Sequence, residues 1–408
     1  MFAQADLEFY RLPLKILLVT YYFPPDLSAG SFRAKALVEA MLRKTGTDIQ
    51  IDVLTTEPNR YRSHTPENVG AEDPRYSLTR LSLPKQRWGI LGQIRSFIRF
   101  ARLSRRATKS AQYDVVIATS SRLMTAVLGR YLASRLQARL YLDIRDIFVE
   151  TIGDVFPRPL VGPMLRVFSR LERYAIDKAD RVNLVSRGFL TYFQVRYNRR
   201  DYRFFTNGVD QEFLDAARFQ CAEPPAVGVR VVEIVYAGNI GAGQGLEMVV
   251  PDLAKRLQGR AHFTVIGDGG TLQRLMESCA NVGADVTFVG AVPRSQLMEQ
   301  YRRADVLFLH LNDVPAFERV LPSKIFEYAA TGKPVLAGVS GYARQFLETE
   351  VEGACVFDPT NVDAAVSAFE ALDIRPYERP LFIEKFARER IMDDMASDIL
   401  TLAQGDSV

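Results

Sequence analysis

The segment LPSKIFEYAATGKPV, residues 321–335, holds the unit from which the fold is built. Pro322 fits the first turn of a helix, where its missing N–H is no loss. The apolar run that follows is helical in spacing. Gly332, Lys333 and Pro334 stop it, and "KPVLAGV" then reads as a short buried strand. Outward from this unit the same alternation repeats. "VVEIVYAGNIG", "HFTVIGDGG", "DVTFVGAV" and "DVLFLHL" precede it as strands separated by helices. An earlier set, "LKILLVTYYF", "IQIDVLTT", "YDVVIATS", "ARLYLDIRD", "DRVNLVS" and "YRFFTNGVD", behaves alike, with a first helix expected at about Ser31–Lys44. Unbroken β-branched runs alternating with helices indicate parallel strands covered on both faces. The Pro-rich "CAEPPAVG" between the two sets reads as a linker. The expected architecture is α/β: two doubly wound Rossmann-like domains facing a central cleft. Residues 1–210 form the first domain, joined by a returning helix over 380–404, and residues 211–379 form the second.

Composition narrows the function. The 408 residues are too many for one ordinary domain, and 48% are apolar, enough for two cores. A net charge of +4 gives no whole-chain field for nucleic acid, which is not expected as a partner. Three separated cysteines, Cys221, Cys279 and Cys355, suit a reducing compartment. The histidines His64, His262 and His310 are equally scattered, so neither metal nor bound cofactor is expected. No apolar run reaches the roughly 20 residues of a membrane helix, and the N-terminus lacks a signal-peptide pattern. The glycines of "GNIGAGQG" (238–245) do not follow the dinucleotide-binding spacing, which argues against a nicotinamide enzyme.

Lys324 and Glu327 interrupt the apolar helix at a spacing that places both on one face. They read either as a surface i,i+3 ion pair or as ligand contacts. In the second reading, first-turn N–H groups near Ser323 and the Lys324 ammonium hold a diphosphate, and Glu327 takes both ribose hydroxyls.

The motifs "KILLVTYYFPPDLSAGSFR", "FTNGVD", "YAGNIGAGQGLE", "FTVIGDGG", "VTFVGAVPRSQLMEQYRRADVLFLHL" and "PSKIFEYAATGKPVLAG" together resemble a retaining glycosyltransferase of family 4 with the glycosyltransferase-B architecture. They follow the family's order from about Lys15 to Asp358. "GNIGAGQGLE" with "PSKIFEY" resembles the bacterial O-antigen and capsule branch that includes N-acetylfucosaminyl transferases. The resemblance implies a sugar nucleotide, a UDP-sugar first, as donor and a glycan or polyprenyl-diphosphate-linked acceptor. It gives Glu327 the ribose, Ser323 and Lys324 the diphosphate, and the backbone of Ala291 and Val292 the base. Gly30 becomes the small residue at which donor phosphate and acceptor approach. Departures accompany it. The usual first glutamate falls on Arg319, with Glu318 adjacent. The usual arginine and lysine of the loop after the second domain's first strand fall on Asn239 and Gln244. The usual histidine falls on Arg145, beside Asp146, so Arg145 is expected to stabilise charge and Asp146 to orient the acceptor hydroxyl. These replacements keep open a noncatalytic binding subunit on the same fold.

From Arg75 to Gln112 there are ten Lys or Arg and no acid. Within this stretch, Arg95, Arg99, Arg102 and Arg106 alternate with apolar residues, Trp88 among them. The stretch reads either as an interfacial helix, binding an anionic membrane and a lipid-diphosphate acceptor, or as a core helix with a wet arginine face. The first reading makes the protein cytoplasmic and peripheral at the inner face of the cell membrane. The later run "VFPRPLVGPMLRVFSRLERY" (155–174) reads first as core.

Overall fold

The computed structural model describes residues 13–26, 28–46, 48–58, 74–83, 90–120, 122–147, 149–150, 158–197, 201–213 and 231–405. Trp88 and the linker at 221–228 lie outside them. The chain divides into two compact units. The first holds the described residues up to Leu184, Phe193–Phe205 and the chain from Met392 on; the second holds Val185–Tyr192 and the described residues from Thr206 to Ile391.

The first unit is built on a seven-stranded sheet. Its strands are β1 (Leu14–Thr20), β2 (Ile49–Thr56), β3 (Tyr76–Leu81), β4 (Val115–Ser120), β5 (Arg139–Ile144), β6 (Arg181–Leu184) and β7 (Tyr202–Arg203). Their order is β3-β2-β1-β4-β5-β6-β7, paired in parallel throughout. Central strands are apolar on both faces because helices cover both: β4, VVIATS, is buried along its whole length. The chain steps from β1 outward to β3, returns past β1 to β4, and continues to β7. Right-handed crossovers then put the helix Ala29–Thr45 on one face and the helices Ile90–Ala107, Leu123–Leu136 and Arg158–Ile176 on the other. Arg135 Nη1 donates to the Arg105 carbonyl at 3.1 Å, and the Arg130 guanidinium lies 5.7 Å from the Tyr174 ring, so Leu123–Leu136 adjoins both of the others.

The second unit has six parallel strands in the order β10-β9-β8-β11-β12-β13. They are β8 (Val232–Asn239), β9 (Ala261–Asp268), β10 (Val286–Val289), β11 (Val306–His310), β12 (Val335–Gly338) and β13 (Ala354–Phe357). The direction of winding reverses between β8 and β11, where sheets of this kind open a crevice beyond their carboxyl ends.

Two edge strands differ from the sequence reading. β3 lies inside the acid-free stretch and alternates in burial, as an edge strand does, while β13, at four residues, is too short to show a pattern. The C-terminal segment also divides. The rings of Phe382 and Phe386 pack on Phe326 and Phe346 at 5.3–6.3 Å, so the helix Pro380–Phe386 belongs to the second unit. Leu381, in the same helix, is 79% exposed. The return to the first unit starts at Met392, within the helix Arg388–Gln404. There Met395, Ala396 and Ile399 are fully buried, and Asp398 binds Arg181 and Arg203 at 2.8 and 2.9 Å.

Candidate functional site

At the carboxyl end of β8 the backbone turns through Gly238 at φ +141°, a conformation that favours glycine. A Cβ there would also lie 2.0 Å from Lys324 Nζ, so any side chain would push the lysine aside. Lys324 opens the helix Lys324–Ala330, only seven residues long. Pro322 and Ser323 precede this helix rather than forming its first turn. Their carbonyls accept from Ile325 and Phe326 at 3.2 Å, and the Ser323 hydroxyl makes no cap. Two turns align few peptide dipoles, so the Lys324 charge matters more than the helix terminus.

Lys324 and Glu327 do not form the surface ion pair that their spacing allows. Among the described residues no hydrogen bond or ion pair joins them. Lys324 Nζ lies 4.1 Å from the centre of the Tyr236 ring and donates to Tyr236 Oη at 2.9 Å. Burial lowers this ammonium to about 7, although Glu327 pulls it upward. Glu327 is partly buried, and that burial raises its carboxyl. Arg294, Lys324 and Arg388 counteract the rise and Asp210 adds to it. Asp210 is held by both Arg294 and Arg388, and Arg294 Nε also meets Glu212 at 2.7 Å. Glu327 therefore stands at the edge of a charge cluster without a direct bond of its own among the described residues. Such a carboxylate is poised to accept from a ligand.

Asn239 and Gln244, in the places where charges were expected, bind each other instead. Asn239 Nδ2 donates to Gln244 Oε1 at 2.7 Å, and Gly241 N donates to the same oxygen at 3.3 Å. Ala291 and Val292 lie in the loop between β10 and the helix Arg294–Arg303. Glu318 and Arg319 end the short helical turn Pro315–Arg319; Glu318 is exposed. The Arg319 carbonyl accepts from Ser186 Oγ at 2.6 Å, a contact of the main chain and not of the guanidinium.

The first unit brings two expected residues together. A Cβ at Gly30 would fall 1.9 Å from Arg145 Nη1, so the absence of a side chain there lets the guanidinium pass. Arg145 and Asp146 follow β5, and Asp146 is exposed. The strongest electrostatics lie one step deeper. Asp143 is fully buried; Arg33 reaches it through Nε and Nη2 at 2.9 and 3.0 Å, and Asn183 donates to it at 2.7 Å. Burial by itself would raise this carboxyl, but the Arg33 charge and the donors hold it below its ordinary 3.8. Sequence reasoning missed this pair because Arg33 stands mid-helix and looks solvated. It also missed Asp210, Arg294 and Arg388, although "FTNGVD" ends on Asp210 and "VPRSQ" contains Arg294.

His310 was missed as well. It ends β11 fully buried, with Nδ1 2.6 Å from the Gln244 carbonyl and Nε2 accepting from Thr360 N at 3.1 Å. A carbonyl on one nitrogen and an N–H on the other fix a neutral ring with its proton on Nδ1. Burial pushes it down to about 4, and the ring pins the Gln244 loop. An unfolded chain takes up this proton near pH 6.5. Stability is therefore full above pH 6.5 and falls as the pH drops toward 4, by on the order of 3 kcal/mol. Melting temperature against pH checks this: a His310→Leu variant should melt lower at pH 8 yet show a flatter slope between 6.5 and 4.

Two glycosyltransferase domain models match these two units. The "Glycosyl transferase 4-like domain" covers residues 32–208, and "Glycosyl transferases group 1" covers residues 232–372. Together they span most of the chain, which is thus a glycosyltransferase on the two-domain glycosyltransferase-B fold. The putative colanic acid biosynthesis glycosyl transferase WcaI of Escherichia coli (strain K12) is 25% identical, over 95% of this chain and 100% of its own length. The probable glycosyltransferase WbjE of Pseudomonas aeruginosa is 25% identical over 61% of this chain and 62% of its own. In fold, the chain resembles the sucrose-phosphate synthase of Thermosynechococcus elongatus, with TM-score 0.73, 15% identity and coverage of 95% and 99% of the two chains. It also resembles Anabaena Alr3699/HepE in complex with UDP and glucose, with TM-score 0.64, 16% identity and coverage of 95% and 100%.

Proposed function

We propose that this protein is a retaining family 4 glycosyltransferase that moves a sugar from a UDP-sugar to a glycan or polyprenyl-diphosphate-linked acceptor in bacterial surface polysaccharide synthesis. The observation that carries the reading is the Lys324 ammonium at the β8 turn, where the winding of the second sheet reverses, together with Glu327, whose carboxyl feels the charges of Lys324 and Arg294. There Lys324 meets the diphosphate, Glu327 accepts both ribose hydroxyls, and the backbone at Ala291 and Val292 takes the base. UDP in the HepE complex and the colanic acid role in the name of WcaI support the donor and the pathway class. An N-acetylhexosamine of the fucosamine kind is the first sugar to try.

In this reading the acceptor oxygen attacks the anomeric carbon on the face the phosphate leaves. The carbon–phosphate oxygen bond breaks as the new bond forms, and the acceptor proton passes to the departing phosphate. Gly30 and Arg145 shape the corresponding edge of the first unit, where Arg145 stabilises anionic charge and Asp146 orients the acceptor. The reading calls for no metal ion, since side-chain cations meet the diphosphate, and activity should persist in EDTA. A thermal-shift series over UDP-, GDP- and dTDP-sugars tests the donor, because a ligand of the native state raises its stability. UDP-sugars should give the largest shift; no shift with any of them overturns the assignment.

No helix of the described residues is long and apolar enough to cross a membrane. Membrane contact in this reading is peripheral, and its surface is wider than one helix. The helices Ile90–Ala107, Leu123–Leu136 and Arg158–Ile176 carry eleven arginines and one acid, the buried Glu172. Ile94, Ile98, Tyr131, Val167 and Tyr174 are exposed among them. Val167 and Tyr174 correct the expectation that the third helix is core. Arg95, Arg99, Arg102 and Arg106 are all exposed, while Ser96, Phe100 and Ser104 form the buried face. Each surface arginine contributes about 1 kcal/mol toward an anionic leaflet. The joint change of Arg95, Arg99, Arg102 and Arg106 to glutamine should release the protein from anionic vesicles in a flotation assay and leave donor hydrolysis intact. Retention of the quadruple variant at physiological salt would make this face an ordinary solvated one.

A further inference from the structure

The turn that follows β8, Gly238 to Gly245, contains no basic residue. Its two longest polar side chains, Asn239 and Gln244, are committed to each other. One ammonium nevertheless stands at this turn, delivered from another element. Lys324 runs back along Gly238, where even a methyl group would collide with its Nζ and Cε, at 2.0 and 2.2 Å. Tyr236, two residues before that glycine on the same strand, determines where the ammonium stops. Its ring lies under Nζ at 4.1 Å. Its hydroxyl donates its single proton to the Asn239 carbonyl at 2.5 Å, which leaves an oxygen lone pair for Lys324 at 2.9 Å. Tyr236 thus ties the turn and the ammonium together with one oxygen. It is itself fully buried and fixed in place.

We propose that Tyr236 is the positioning residue of the donor site: it holds the Lys324 ammonium at the Gly238 turn as the cation for a nucleoside diphosphate that the turn itself does not supply. This rests on the donor reading above and specifies how that site is charged. Tyr236 touches no phosphate; it acts through Lys324. The charged and titratable groups around the ammonium are Tyr236 from β8 and Glu327 from its own helix. Behind Glu327 stand Arg294, Asp210 and Arg388, and beneath the helix the Tyr301 and Tyr328 rings pack 5.4 Å apart. With Lys324 lowered to about 7, part of the population is neutral at physiological pH, and a bound diphosphate draws the proton back. UDP binding should therefore take up protons and weaken as the pH rises from 7 to 9.

Calorimetric titration with UDP and with uridine, at pH 6.5 and 8.5, tests the proposal on the whole chain. Tyr236→Phe keeps the ring and removes the oxygen. It should lower UDP affinity about tenfold, leave uridine affinity unchanged, and alter the pH dependence of UDP binding. Lys324→Met should lower UDP affinity at least as far and abolish the proton uptake. Asn239→Arg, placed in the Tyr236→Phe background, should restore UDP binding by returning a cation to the turn. Parental UDP affinity in Tyr236→Phe, or equal losses of UDP and uridine with a lowered melting temperature, overturns the positioning role. A Lys324→Met loss with an unaffected Tyr236→Phe leaves the donor reading standing and removes only Tyr236 from it. A parent that binds no UDP removes both.

Discussion

Glu327→Ala should weaken UDP binding by about 2 kcal/mol or more, the scale of two hydrogen bonds to a charged acceptor in a partly closed site. The loss should appear with uridine as strongly as with UDP, because the carboxylate is assigned to the ribose; 2′-deoxyuridine should bind the parent less tightly than uridine. The same substitution should leave the free protein as stable as the parent or slightly more so. Burial and Asp210 hold the Glu327 carboxyl above its ordinary range, so the surroundings of the empty site disfavour its charged form. Opposite signs in two assays, weaker nucleoside binding and unchanged or higher melting temperature, mark a ligand contact. A fall in both would mark a structural carboxylate, and parental binding of uridine would remove the ribose assignment.

Arg33→Ala should be the most damaging single change to stability, at about 3–5 kcal/mol, because it strands a fully buried Asp143. Arg33 also donates to the Phe205 carbonyl at 2.8 Å, which it shares with Asn183, so the loss spreads to the segment after β7. The double change Arg33→Met with Asp143→Leu should recover much of the loss, since apolar groups of similar volume replace a buried pair at little net cost. Urea denaturation followed by fluorescence checks both variants. The pH dependence separates this pair from His310. Asp143 is held below 3.8, so its contribution is complete above that value and disappears only as the pH falls through its lower folded value. The His310 effect, in contrast, is already under way between pH 6.5 and 4. A single variant at Arg33 within about 1 kcal/mol of the parent would show that the pair is more hydrated than its burial indicates.

Much of the fold could be read from the chain because central strands of parallel sheets are apolar on both faces. "LLVT" and "VVIATS" are therefore unbroken runs. β3 and β13 lack that signal, β3 because it alternates in burial and β13 because it has only four residues, and both were missed. Lys324 and Glu327 were recognisable because two charges interrupt an apolar helix, but their partners were not. A lysine's direction along its stem depends on a strand 88 residues away, at Tyr236, and periodicity carries no such information. The cluster of Asp210, Arg294 and Arg388 likewise joins three distant segments. Gly30 and Arg145 were placed by resemblance, and their close approach supplies a steric reason for the glycine. The fixed proton on His310 became visible only once the Gln244 carbonyl and Thr360 N–H were seen on its two nitrogens.

Transfer of a sugar from a nucleoside diphosphate is open to direct measurement. Phosphorus NMR of the parent protein, incubated with UDP-sugars and a polyprenyl-diphosphate-linked glycan, measures it most directly. UDP should appear in step with a product whose proton spectrum shows the donor's anomeric configuration retained; EDTA should not stop it, and Glu327→Ala should slow it. Absence of released nucleotide with every donor and acceptor offered, from a protein that still binds the glycan, would rule out transfer and make the chain a binding subunit on a glycosyltransferase fold.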